Sequence, residues 1–179
     1  MRAPASIGAR MGTSLYDLTI PVYIRSLTNL SAILAKGEAW AIEKGLDPAD
    51  LLEARLIADM HPLPYQVQRA CDSAKGTAVR IGGVDNKVFP DEEKSFAELQ
   101  ERITGIIAFL RHVPREAMDG QEEKAIRLDL PDGKSIPFTG QSFALNFAIP
   151  NFFFHISMAY ALLRQRGVPV GKLDYLGGI

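Results

Sequence analysis

One cysteine, Cys71, is the entire thiol content of these 179 residues. That excludes an internal disulfide framework and any cysteine-rich zinc site, and it points to a reducing, cytoplasmic setting. Charge of either sign in excess is also missing. Twenty Lys and Arg stand against 21 Asp and Glu, for a formal net charge of -1. A chain so balanced has no overall field to draw in nucleic acid or an anionic membrane surface, and its cations are scattered rather than striped. No Walker or dinucleotide fingerprint occurs, because the pair Gly82-Gly83 follows a helical stretch instead of preceding one. Internal repeats are absent. What remains is an ordinary globular composition, 47% hydrophobic and 23% charged, long enough for one domain with its own core.

The opening MRAPASIGARMG has no apolar run of about 7–15 residues, so it does not read as a secretory signal. Residues 1–13 are expected to be a flexible extension, with Met11 as an alternative start, and 14–179 to form the domain. Ser135 to Leu163 carries no Asp, Glu, Lys or Arg. Within it, Phe143 to Leu163 has about the length of a membrane span. Asn146, Pro150, Asn151, His155 and Ser157 interrupt it, which fits a buried helix better.

Four segments place apolar residues at steps of three and four, the mark of packed helices. The first runs through Tyr16, Ile20, Tyr23, Leu27, Leu30, Leu34 and Ala41. Ser14 and Asp17 resemble a capping box at its start, Gly45 closes it, and Pro21 predicts a kink or a later beginning. Asp47 and Pro48 open a short helical piece. The second long helix starts near Pro62 or Pro64, uses Val67, Cys71, Ala74, Ala78 and Ile81, and ends at Gly82-Gly83. The third follows a capping box of Ser95 and Glu98 through Phe96, Leu99, Ile103, Ile106 and Leu110.

The period then changes to two. Ala125 to Leu130 alternates and Lys134 to Phe138 answers it across Pro131-Asp132-Gly133, predicting a β-hairpin that lies on the helices. The fourth helix begins after Thr139-Gly140 and runs to Gly167, with Pro150 expected to bend it. It has two apolar stripes: Leu145, Ile149, Phe152, Ile156, Ala159 and Leu163, and beside them Ala148, Asn151, His155, Met158 and Leu162. The Gly-rich tail should lie along the helices. The fold class is thus mainly α, a four-helix bundle with a β-hairpin inserted between helices 3 and 4.

His61 and His155 are the sharpest candidates for chemistry. A histidine at the start of the second helix and one midway along the fourth meet if those helices are neighbours, as in bundles that build sites from facing side chains. A catalytic zinc or nickel normally takes three protein ligands. Asp59 and Asp72 are candidates for the third, with Asn151, Tyr160 and Gln66 as weaker donors. His155 is open to three readings: a buried neutral imidazole, a ligand-binding or acid–base group, or a metal ligand. His61 can equally organise the loop before Pro62. His112 reads as a solvated residue at a helix C-terminus, and Cys71 as a small core residue. The run Phe152-Phe153-Phe154 suits core and subunit interface.

The blocks SLYDLTIPVYIRSLTNLSAIL, ARLIADMHPLPYQVQRACDSAKG, NFFFHISMAYALLRQRGVPVGK and DYLGG resemble a bacterial family, domain of unknown function nineteen-ninety-three. It is placed in the DinB/YfiT-like superfamily of metal-dependent four-helix bundles. The resemblance covers Ser14 to Gly178 and implies a four-helix bundle, commonly a dimer, with a central site. It also implies three histidines holding a divalent metal, one early in the second helix and two spaced by four on the last. His61 matches the first and His155 one of the pair; Asn151 and Ala159 stand four residues to either side of it, so the triad is incomplete. Two functions are expected from this. One is a small-molecule-binding or stress-related module with a pocket lined by His61, Asn151, His155 and Tyr160, acting as a homodimer. The other is a divalent-metal-dependent hydrolase or thiol transferase with His61 and His155 as zinc or nickel ligands.

Overall fold

The computed structural model describes residues 13–130 and 132–178. Nearly all of the expected N-terminal extension, including Met11, lies outside the described residues. The chain is mostly helical with one small antiparallel sheet.

Helix α1 spans Leu15–Glu43, with Ser14 at its N-cap accepting from the Asp17 amide. Pro21 neither delays nor ends it: the helix starts at Leu15 and runs through the proline. Ile20, Tyr23, Leu27, Leu30 and Leu34 are fully buried at three- and four-residue steps, so tertiary packing holds the helix across the missing hydrogen bond. By length and hydropathy α1 could cross a membrane, with a mean hydropathy of 1.3 over its best window. Here its apolar stripe packs on α3 (Leu63–Gly82), α4 (Phe96–Arg111) and α7 (Ile149–Gln165). A short α2 (Ala49–Leu52) bridges to α3, and Asp47 accepts from the Ala49 amide at 2.9 Å.

α3 is the hub of the fold, touching α7 most extensively and α4 next. Its inner face is small (Ala70, Cys71, Ala74, Ala78), which lets those neighbours approach closely. Gly83 ends it in the left-handed conformation, a cap that favours glycine. The Ser95–Glu98 cap of α4 is reciprocal but displaced. Ser95 Oγ accepts from the Glu98 amide at 3.2 Å, whereas the Glu98 carboxylate reaches back to the Lys94 amide at 2.5 Å.

Between α3 and α4 the segment 84–95 folds back over both helices, and Arg102 of α4 holds it there. The Arg102 side chain is 1% exposed. It pairs with Asp72 of α3 at 3.1 Å, and with Asp91 and Glu93 of the connecting segment at 2.8 Å each. It also donates to the Pro90 carbonyl. Gln68 supports Glu93, and Arg69 pairs with both Asp72 and Asp91.

After α5 (Arg115–Met118) come β1 (Ala125–Asp129) and β2 (Ser135–Thr139), antiparallel with Ala125 opposite Thr139. Ile126 and Leu128 are the buried residues of β1. Thr139 and Ser142 form a capping box for α6 (Gly140–Phe143). Gly140 is required there, because a Cβ would overlap the Gln121 carbonyl oxygen. One wide π turn, Ala144–Ala148, then leads into α7. It lies just before Pro150, whose missing N–H leaves the Asn146 carbonyl without an α-helical donor. The tail forms a further short helix, α8 (Lys172–Leu176), packed on α1, with the Gly171 amide donating to Asp174.

Candidate functional site

The α3–α7 contact determines where the candidate side chains stand. Phe152, Ile156 and Ala159 bury the inner stripe of α7, and His155, one turn after Phe152, faces the start of α3. His155 is 8% exposed, and its Nδ1 lies 2.8 Å from Gln66 Oε1. The Gln66 amide is oriented by a second bond, from its nitrogen to the His61 carbonyl at 3.0 Å. The amide oxygen therefore faces the ring, so a neutral imidazole carries its proton on Nδ1.

Among the described residues the other ring nitrogen, Nε2, has no protein partner. Among the described residues the orphaned buried side-chain atoms are Arg69 Nε, Arg102 Nε and Asp119 Oδ1. His155 Nε2 is not one of these, so it remains in contact with solvent. Burial, aided by the charge of Arg69, holds the His155 pKa down to about 4.

Tyr65 joins the two histidines. The His61 ring stacks on it with centroids 3.8 Å apart, and His155 meets it edge-on at 6.2 Å. Arg69, one turn further along α3, lies over the same tyrosine ring at 5.2 Å. His61, Tyr65 and Arg69 thus form one column at four-residue spacing, with His155 beside it. Asn151 belongs to the same face of α7, one turn before His155, and donates to Ser73 Oγ at 2.6 Å. Tyr160 does not join them. Five residues beyond His155, it is turned by roughly 140° around the helix, and its hydroxyl donates to the Val170 carbonyl at 3.5 Å beside Tyr175.

Asp72 is engaged by Arg69 and Arg102, and Asp59 is exposed. His112 caps α4 with Nδ1 2.7 Å from the Ala108 carbonyl. Cys71 is buried, which pushes its thiol up to about 12 despite the neighbouring Arg102, too high for a nucleophile near neutrality. Among the described residues no three His, Cys, Asp or Glu side chains come together as a metal site. Beyond the two imidazoles the nearest donors are a phenol and an amide already committed to His155, and Arg69 adds a positive charge. This set does not fit a catalytic zinc or nickel centre.

Tyr65 and Arg69 were not singled out in the sequence, although their four-residue steps from His61 were there to find. Two clefts run along segment 84–95, and Arg69 borders the second of them. One of about 900 Å³ is lined by Phe89, Glu93, Glu98 and Arg102, and one of about 590 Å³ by Arg69, Lys75, Arg80 and Asn86.

The depressed His155 pKa has a measurable consequence. Between about pH 6.5 and pH 4 the unfolded chain takes up a proton that the native ring refuses. Stability from this group is therefore complete above 6.5 and falls as pH drops to about 4, by on the order of 2–3 kcal/mol. Asn at 155 keeps an amide donor near the Nδ1 position but does not titrate. Urea unfolding as a function of pH should show His155→Asn with a shallower loss over that interval. An unchanged slope would place the native pKa near its ordinary value.

A mostly helical domain with one nearly buried, solvent-touching histidine between two helices is what fold and site define. The family described as Domain of unknown function (DUF1993) matches residues 15–176. A crystal structure of a DinB family member protein from Shewanella denitrificans superposes with a TM-score of 0.85 at 40% identity, covering 92% of this chain and 93% of that one. The chain belongs to the DUF1993 family and, with that relative, to the DinB family. No curated protein matches it.

Proposed function

We propose that this protein is a small-molecule-binding module, a four-helix bundle of α1, α3, α4 and α7 with the hairpin inserted between the third and fourth. Its ligand is taken beside His155. The observation carrying this reading is Nε2: an acceptor that still meets solvent on a ring otherwise buried and held by Gln66. An open acceptor on a ring whose other nitrogen is fixed gives a ligand's donor a defined place to bond. Around it stand His61 and Tyr65, an aromatic surface for a ligand to lie on, and the cation of Arg69. Asn151 fixes the α7 face against α3 and lends it rigidity. Tyr160, anchoring the C-terminal segment, has a supporting part at most.

The metal-dependent hydrolase or thiol-transferase reading lacks a third ligand among the described residues. The single buried thiol suits a cytoplasmic protein, and exposed Leu145 and Phe154 supply the apolar surface for a homodimer.

The test is a fragment screen by ligand-observed NMR on the wild type and on Tyr65→Ala and His155→Asn. Binders whose signal is lost in both variants are expected. A screen in which no binder depends on either residue would rule the module reading out.

A further inference from the structure

We propose that Gln66 is a positioning residue that locks His155 as its Nδ1–H tautomer. The site then selects small molecules pairing a hydrogen-bond donor for Nε2 with a carboxylate for Arg69, the class of small hydroxy acids. This rests on the binding reading above and adds the ligand's chemistry to it.

The Gln66 amide cannot turn freely. Its nitrogen donates to the His61 carbonyl at 3.0 Å, and a flip would set two oxygens against each other. With the amide so fixed, its oxygen accepts from His155 Nδ1 at 2.8 Å. One proton is assigned, and the lone pair is left on Nε2. A bare carboxylate has no proton to offer that lone pair and is repelled by it. A hydroxyl or an amide N–H is attracted.

Arg69 supplies the second half. Both of its ion pairs, to Asp72 and Asp91, use Nη2. Among the described residues Nη1 has no protein acceptor, and Nε is a buried donor without one. The guanidinium and His155 flank the same Tyr65 ring, at 5.2 Å and 6.2 Å from its centroid. Arg69 lies over the face of Tyr65 and His155 meets its edge, so an unfilled acceptor and an unfilled cationic donor border one ring, and a small ligand bearing the opposite pair a few atoms apart can serve both. A 2-hydroxy acid has that pattern: its hydroxyl donates to Nε2 and its carboxylate accepts from Nη1.

The experiment is long-range ¹H–¹⁵N NMR of the histidine rings in the wild-type protein near neutral pH, alone and with glycolate, acetate, ethanol or zinc added separately. His155 should show a pyrrole-type Nδ1 and a pyridine-type Nε2. Glycolate should move the Nε2 resonance at concentrations where acetate and ethanol do not. In Gln66→Leu the two nitrogens should move toward averaged shifts and the glycolate response should weaken several-fold, a signature that lost packing alone does not produce.

A pyrrole-type Nε2 in the wild type overturns the tautomer lock and leaves the binding module standing. An equal response to acetate or to zinc overturns the hydroxy-acid class, again with the module intact. If glycolate fails here and the fragment screen also finds no binder dependent on His155, both readings fall together.

Discussion

Arg102→Ala should cost about 3 kcal/mol of folding stability, at the lower end of what breaking a buried ion pair typically costs. The side chain is 1% exposed and joins three carboxylates from two parts of the chain: Asp72 of α3, and Asp91 and Glu93 of segment 84–95. Removing it leaves Glu93, 10% exposed, facing Gln68 alone, and takes from Asp72 and Asp91 a partner that Arg69 only partly replaces. Asp72 and Asp91 keep some water, which sets the figure at the low end. Urea denaturation measures it directly. A loss below about 1 kcal/mol would mean the carboxylates relax into solvent and the segment is held by Phe89 and its neighbours instead. Adding Glu93→Gln to the variant should recover part of the loss, since it removes the most buried of the stranded charges. Glu93 is held below its ordinary pKa by Arg102 and Gln68 against the opposing effect of burial, so this contribution also vanishes in acid.

Phe152→Ala should be as damaging or more so, about 3–5 kcal/mol. Its ring is fully buried, 4.4 Å from Tyr23 of α1 and 5.2 Å from Phe153. The cavity would open where α1, α3 and α7 meet, one turn before His155. Calorimetry should show a fall in Tm of roughly 10 °C for a chain of this size. Phe152→Leu, which refills most of the volume, should recover more than half of it. A loss under 1 kcal/mol for the alanine variant would show that the three helices close over the gap.

Tyr23 makes the same junction polar at one point, its hydroxyl 3.4 Å from Thr77 Oγ1. Burial raises the phenol's pKa, so it remains a neutral hydrogen-bonding group at any pH where the protein folds.

Much of the local structure could be read from the chain alone. Ser14 with Asp17, and Ser95 with Glu98, mark helix starts because a side-chain oxygen three residues before a free amide is a local event. The change from a period of three and four to a period of two at Ala125 located the hairpin, and its register agrees with the bonds that close the turn, Gly133 to Leu130 and Leu130 to Lys134. The π turn at Ala144–Ala148 and the short α8 were not legible. Pro150 announced some irregularity but not whether it would be a bend or a widened turn, and a five-residue helix carries too little periodicity to be seen.

The candidate site divides along the same line. His155 stood out in the sequence because a titratable ring inside an uncharged apolar run is costly unless something holds it. What holds it is Gln66, 89 residues away, and which nitrogen stays open depends on that amide's second bond to the His61 carbonyl. Arg102 gave no signal at all, since an arginine four places after Glu98 on an amphipathic helix ordinarily faces water. Helix starts, turns and the alternation of faces are properties of neighbours a few residues apart, and the sequence by itself determined those. Which face met which, and so the His155–Gln66 bond, the approach of His155 to the Tyr65 ring and the burial of Arg102, was decided only when α3 packed against α7 and α4. Such contacts depend on the shape of both surfaces at once, and no single segment carries that information.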